Sequence, residues 1–279
     1  MCCSSRKTLF AVILCGILRC TNAEYVVGLG ADADTEDSHA FAALGSLGIG
    51  ESSWLSATVS RNVSRSGTGN VETVYYDAGF DHHFDPLGVR FGIGYWGDAD
   101  LLDSNDLRAS LYWSVDKGSL SIDFERRAFD LTFRSPLLAQ PRSVEFEADG
   151  IGFAARLQLS EVVSVLANGM RYDYSRNISL QPSVDVVRVF AVSRIGVTNS
   201  LLDERLSAGI EFAAGENVLD LRASSWRTAI FDDRVDSFSV GWLMPLTASS
   251  DLELRLSSDD ADAFGRATQF SVFWYFYGE

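Results

Sequence analysis

Beyond residue 23 the chain has no cysteine; all four, Cys2, Cys3, Cys15 and Cys20, lie before that point. Disulfides, thiolate metal sites and cysteine nucleophiles are thereby excluded from the remainder. No stretch after Ala23 is apolar over the roughly 20 residues that a transmembrane helix needs. If the protein sits in a membrane, only a closed barrel satisfies its backbone polar groups there. Lysine is nearly absent as well, Lys117 being the only one after the first 23 residues. Without Arg6, Lys7 and Arg19 the 23 basic residues fall to 20 against 38 acidic ones, a formal charge of −18. Phosphate repels such a chain, so nucleic acid is excluded as a partner. Histidine is limited to His39, His82 and His83, which leaves few side chains for base chemistry near neutral pH.

What is present begins with a targeting segment. Arg6 and Lys7 form a positive n-region, Leu9 to Leu18 an apolar h-region, and Thr21-Asn22-Ala23 ends on a small residue. This pattern predicts a signal peptide over 1–23, with Glu24 as the mature N-terminus. The apolar run is too short for an anchor. Arg19 before Cys20 and Leu14 before Cys15 do not supply the small residue of a lipobox.

From residue 24 to 279 the chain reads as one domain built from period-two alternation. Its last segment is the clearest. Phe270, Val272, Trp274 and Phe276 fall on one face of a strand, and Gln269, Ser271, Phe273, Tyr275 and Tyr277 on the other. The same alternation recurs, as in Val89, Phe91, Ile93 and Tyr95, in Leu107 to Val115, and in Leu252, Leu254 and Leu256. Fourteen such segments are predicted. Turns are expected at Gly50, Pro86, Lys117, Glu161, Gly215 and Thr247–Ser250. Longer, mostly acidic loops are expected around Asp34, Gly67, Asp100, Gln140, Gln181, Asp232 and Asp262. Arg65–Gly69 and Gly97–Asn105 are read as loops. At Asp149-Gly150 the apolar phase slips, from Val144, Phe146 and Ala148 to Ile151, Phe153, Ala155 and Leu157, which predicts a β-bulge at Gly150. Asp185–Val197 could be a strand or a short helix. Bacterial single-chain barrels have an even strand number. Leaving this piece out keeps the count at fourteen and makes 176–203 a long extracellular or lumen-inserted loop.

An edge strand as aromatic as the last one invites aggregation, and closing a barrel removes the edge. An aromatic, alternating C-terminal strand behind a signal peptide resembles the Gram-negative outer-membrane β-barrel proteins. The resemblance covers Glu24 to Tyr277 and points to no single family. Alternation alone does not separate such a barrel from a soluble β protein. Three features favour the barrel: consecutive hairpins, a polar face with charges of both signs, and aromatics near strand ends (Trp54, Tyr76, Tyr95, Trp113, Tyr174, Trp226, Trp242, Tyr277) where interfacial girdles would lie. The expectation is an all-β, closed, antiparallel up-and-down barrel of about fourteen strands, within a range of twelve to sixteen. Many proteins of this kind end on an aromatic residue read by the assembly machinery; here Gly278 and Glu279 follow Tyr277.

The resemblance implies an outer-membrane location. It also implies a porin-like channel for passive or selective diffusion of small solutes or ions. A closed structural, adhesive or assembly-partner barrel is the alternative, and an outer-membrane hydrolase is a third reading. The lumen-facing candidates are Arg90, Arg108, Asp123, Glu125, Arg156, Arg171, Arg205, Glu211, Asp220, Arg222, Asp251, Glu253 and Arg255. They could sort ions by charge or pair into a wall that only stabilises the barrel. His82 and His83 have the residue types for a base or a metal ligand, but neighbours on a strand point to opposite faces. No serine–histidine spacing typical of lipid hydrolases is visible. The acidic loops (Asp32 to Asp37, Asp98 to Asp103, Asp259 to Asp262) carry hard-cation ligands without a calcium-loop spacing. No catalytic residue, metal site or cofactor is therefore expected. The expected partners are outer-membrane lipid, lipopolysaccharide and the barrel-assembly machinery.

Overall fold

The computed structural model describes residues 24–66, 69–98, 102–133, 142–176, 201–229, 234–261 and 265–278. The expected signal peptide and most of the segment expected to form the long middle loop lie outside them. Fourteen strands are described. They are β1 (Tyr25–Asp34), β2 (His39–Ile49), β3 (Ser53–Ser66), β4 (Gly69–Phe84), β5 (Leu87–Asp98), β6 (Leu102–Val115) and β7 (Gly118–Phe133). Then follow β8 (Arg142–Gln158), β9 (Val163–Tyr174), β10 (Leu202–Ala214), β11 (Asn217–Thr228), β12 (Arg234–Thr247), β13 (Ser250–Ala261) and β14 (Gly265–Gly278). Each strand pairs antiparallel with its sequence neighbours, and β14 returns to β1 to close the barrel. That closing ladder runs without a shift from Tyr25↔Gly278 to Asp34↔Gln269. The aromatic last strand is thus an interior member of a continuous sheet, with no free edge.

The wall has two unlike ends. At one end tight connections follow Ile49, Phe84, Val115, Gln158, Ala214 and Thr247, where the turns are expected. The other end carries the two longest connections, between Phe133 and Arg142 and between Tyr174 and Leu202. Two strand pairs reach further toward that end than the composition suggests. Arg65 and Ser66 pair with Asn70 and Gly69, and Gly97 and Asp98 pair with Asp103 and Leu102. Both stretches read as loops are therefore largely sheet.

The predicted bulge at Gly150 is absent. β8 pairs with β7 from Arg142 to Leu157 and with β9 from Ala148 to Gln158 without a register shift. The apolar residues change face because their surroundings change. Ile151, Phe153 and Leu157 point out of the wall and are exposed, Ile151 at 59%. Phe146 and Ala148, on the opposite face of the same strand, are 4% and 0% exposed. Along most of its height the barrel is apolar outside and polar inside. Toward the loop end this inverts. Trp96, Leu102, Phe129, Phe146, Leu202 and Val235 meet in one buried cluster inside the barrel, while Glu145, Glu147 and Asp149 point outward. Register shifts do occur at Leu202/Glu204 and at Pro245/Thr247. Proline has no N–H to give to the ladder, which accounts for the second.

The outward belt is broad. Ile93 is 62% exposed and Phe41 61%, and Leu29, Phe91, Leu107, Ile122, Leu206 and Phe238 are similarly bare. Water-soluble monomers rarely expose apolar patches beyond a few hundred Å². A belt that encircles the whole wall meets hydrocarbon at no cost.

Candidate functional site

Side chains opposite the belt point into the lumen, and alternation fixes which ones. Arg90 and Asp81 are paired in register on β5 and β4. Arg90 Nε donates to Asp81 at 2.9 Å, and Tyr112 Oη donates to the other Asp81 oxygen at 2.6 Å. Near the same end Arg156 meets Glu211 at 2.7 Å. Further in, Arg255 is the centre of a buried cluster. It bonds Asp220, donates to Glu253 at 2.9 and 3.1 Å, and is 8% exposed. Arg222 holds the second Asp220 oxygen at 3.2 Å, and Tyr275 Oη donates to Glu253 at 3.0 Å. Gly241 lies directly beneath this cluster. A Cβ there would stand 2.8 Å from Asp220 Oδ1 and 2.9 Å from Arg255 Cζ, so the bare backbone makes room for the guanidinium.

A second cluster fills the lumen between β4 and β9. Arg108 pairs with Asp77. Arg127 Nε donates to Glu125 at 3.0 Å and stacks over Tyr172 at 4.7 Å, and Tyr172 Oη donates to Glu125 at 2.5 Å. Ser104 donates to Asp106 beside them. Arg127 and Glu125 are 4% and 9% exposed. Buried charges of this kind are retained only when paired and hydrogen-bonded.

Among the thirteen candidates read from the sequence, Asp123, Arg205, Arg222, Glu253 and Arg255 line the central cavity. Arg90, Arg108, Glu125, Arg156, Glu211 and Asp220 sit in the ion pairs above. Asp251 accepts from Tyr277 Oη at 2.8 Å. Arg171 does not face the lumen. It pairs in register with the outward Ile151 and with Glu204, between the inward Met170 and Tyr172. At that height the outside of the wall is polar, so charge no longer marks the inner face. Asp77, Asp81, Asp106 and Arg127 are lumen groups absent from the thirteen. The first two were legible from the polar face of β4. Arg127 was hidden in Arg126-Arg127, where no apolar neighbour sets the phase.

The expected aromatic girdle is revised as well. Tyr76, Tyr95, Trp113 and Trp242 point outward, and Tyr76 packs with Tyr95 at 6.3 Å. Trp54, in register with Gly48 and Asp81, points inward. Trp226 (6% exposed), Tyr174 and Tyr277 also face the lumen side.

A cavity of about 680 Å³ occupies the lumen. Its floor and walls on β10 to β14 are hydroxyl-rich, with Ser207, Ser224, Ser239, Ser257 and Ser271, and Thr58 and Ser60 stand opposite. Tyr75, Trp226, Phe273 and Tyr275 supply aromatic surface.

The histidines are split as alternation requires. His83 stacks on Tyr112 inside, at 6.0 Å. His82 lies on the outer face beside Phe80 and Phe84, and its Nδ1 is 2.9 Å from Ser53 Oγ. The fold thus brings a serine to a histidine, which spacing did not reveal. A nucleophile–base pair also needs a group to orient the base, and among the described residues no carboxylate bonds His82. No group of three metal-ligating side chains occurs among the described residues.

No family model matches the chain, and no curated protein sequence matches it. Solved structures do. The CymD monoaromatic hydrocarbon channel superposes with a TM-score of 0.59 at 11% identity, covering 91% of this chain and 88% of that one. A Pseudomonas aeruginosa FadL homologue gives 0.53 at 9% identity, covering 91% and 89%. At such identities the likeness is one of fold, and the fold of this chain is the closed antiparallel β-barrel of outer-membrane proteins.

Proposed function

We propose that the protein is an integral outer-membrane barrel acting as a porin-like channel for diffusion of small solutes or ions. The observation that carries this reading is the combination of a continuous apolar belt outside with a polar, mixed-charge cavity of about 680 Å³ inside. Tight turns would face the periplasm and the longer connections the exterior, the usual arrangement of such barrels. Outer-membrane lipid would cover the belt. Lipopolysaccharide head groups would meet the outward ion pairs beyond it, among them Arg61–Glu72 and Arg126–Glu147, each at 2.6 Å. Membrane insertion would depend on the barrel-assembly machinery. The chain is read as a non-enzyme, because the solved structures of like fold include a hydrocarbon channel and a FadL homologue.

The measurement that tests this is conductance of the refolded chain, Glu24 to Glu279, in a planar lipid bilayer. Discrete, ion-selective steps are the expected result. A folded barrel without conductance would overturn the channel reading. It would support the second one, a closed structural, adhesive or assembly-partner barrel. One observation favours that alternative: Arg90, Arg108, Arg127, Arg156, Arg222 and Arg255 are all held by carboxylates along the lumen wall.

A further inference from the structure

We infer that the central cavity holds a binding site for a small carboxylate with an apolar body, built around Arg205 and Trp226. This rests on the channel reading, since a solute reaches the site only along the lumen. Arg205 differs from the lumen arginines named above. Among the described residues its guanidinium has no ion pair or hydrogen bond, and its Nε is buried without an acceptor. Trp226 is its register partner on β11, and the indole N–H is likewise buried without an acceptor. Both line the same cavity. Two neighbouring donors, one of them charged, are left without an acceptor in a place that a solute can enter. A buried donor without a partner is costly, and an anionic acceptor is the strongest remedy.

The surroundings define the rest of the ligand. Toward the loop end Trp226 belongs to the buried apolar cluster with Leu202 and Val235. Met170, the register partner of Arg205 on β9, packs against that cluster. Toward the turn end lie Ser207 and Ser224, which already bond each other at 2.9 Å. The guanidinium thus stands at the boundary of an apolar layer and a hydroxyl layer. A compact carboxylate fits this boundary, its charged end on Arg205 and the indole N–H, its ring or short chain against Trp226 and Met170.

The test is fluorine NMR of 4-fluorobenzoate added to the refolded, detergent-solubilised barrel, read against detergent alone. The neutral probe is 4-fluorobenzyl alcohol. The wild-type barrel is expected to bind the acid at least about tenfold more tightly than the alcohol. Arg205→Gln is expected to weaken the acid about tenfold, and Trp226→Phe to weaken it by a smaller factor. Arg171→Gln, on the outer wall, is expected to leave binding unchanged. Equal binding of acid and alcohol would overturn the proposal, as would an Arg205→Gln barrel that binds like wild type. The acid–alcohol comparison needs no variant, so it decides the matter even if Arg205→Gln fails to fold. Conductance of the same preparation separates the two claims. Conductance without binding sinks the site and leaves the channel; binding without conductance leaves the site and sinks the channel.

Discussion

Arg255 shows how much a single side chain does in this lumen. It satisfies Asp220 and Glu253 at once, and Asp220 is itself 6% exposed. Arg255→Ala would leave Asp220 with Arg222 alone and Glu253 with Tyr275. Breaking a buried pair by removing one partner costs about 3–5 kcal/mol. The neighbouring cavity admits water, so a loss of about 3 kcal/mol is expected, measured by urea unfolding of the refolded barrel. Asp103 makes the opposite case. It faces outward beyond the belt, directly across from Asp130. Burial, and then the Asp130 charge, push its pKa above the usual carboxylate range. A carboxyl with a raised folded-state pKa favours the fold below its unfolded pKa, and this contribution is lost as pH rises through the folded value. Asp103→Asn is therefore expected to raise the urea midpoint at pH 7. The difference from wild type should vanish as the pH falls below the usual carboxylate range.

At the scale of the element, each strand is defined by what surrounds each of its faces. β7 carries Leu120, Ile122 and Phe124 outward in the belt, then Arg126 outward and Phe129 inward beyond it. The strand never breaks phase. Ile122→Arg places a charge on the lipid-facing wall, where arginine near the bilayer centre costs about 2–4 kcal/mol. The expected outcome is a matching drop in unfolding free energy in lipid vesicles. Ser121→Arg, one residue away on the lumen side, should cost far less. This contrast also explains the reading errors. Strand positions within the belt were legible because apolar and polar faces are distinct there. Arg171, Trp226 and the supposed bulge at Gly150 were misread because lumen and exterior exchange character toward the loop end of the wall. The alternation rule needs to know which solvent each face meets, and sequence does not state it.

For the whole molecule, closure is the decisive event. The ladder between β1 and β14 joins residues 25–34 to 269–278, the longest sequence separation in the fold. Gly30 sits in that seam, and a Cβ there would fall within 2.6 Å of the Phe273 ring. Gly30→Val is expected to displace Phe273 and weaken closure. The readout is the loss of the compact, heat-modifiable band in electrophoresis without boiling. A wild-type band at full intensity would show that the aromatic ring relocates without harm to the seam.

Sequence alone determined the strand number, the tight-turn positions and the hairpin order. These are local properties: period-two alternation, turn chemistry and an even-count rule suffice for them. Alternation also assigned most of the candidate charges to one face, because the outside is apolar along most of the wall. Tertiary structure decided which of those charges meet. Asp220 finds Arg255 across 35 residues, Tyr172 finds Glu125 across 47, and Ser53 finds His82. Register and barrel curvature set these distances. Only the fold left Arg205 and Trp226 facing a cavity with no acceptor among the described residues. Whether a charge has a partner depends on what the opposite wall brings to it, and no local pattern encodes that.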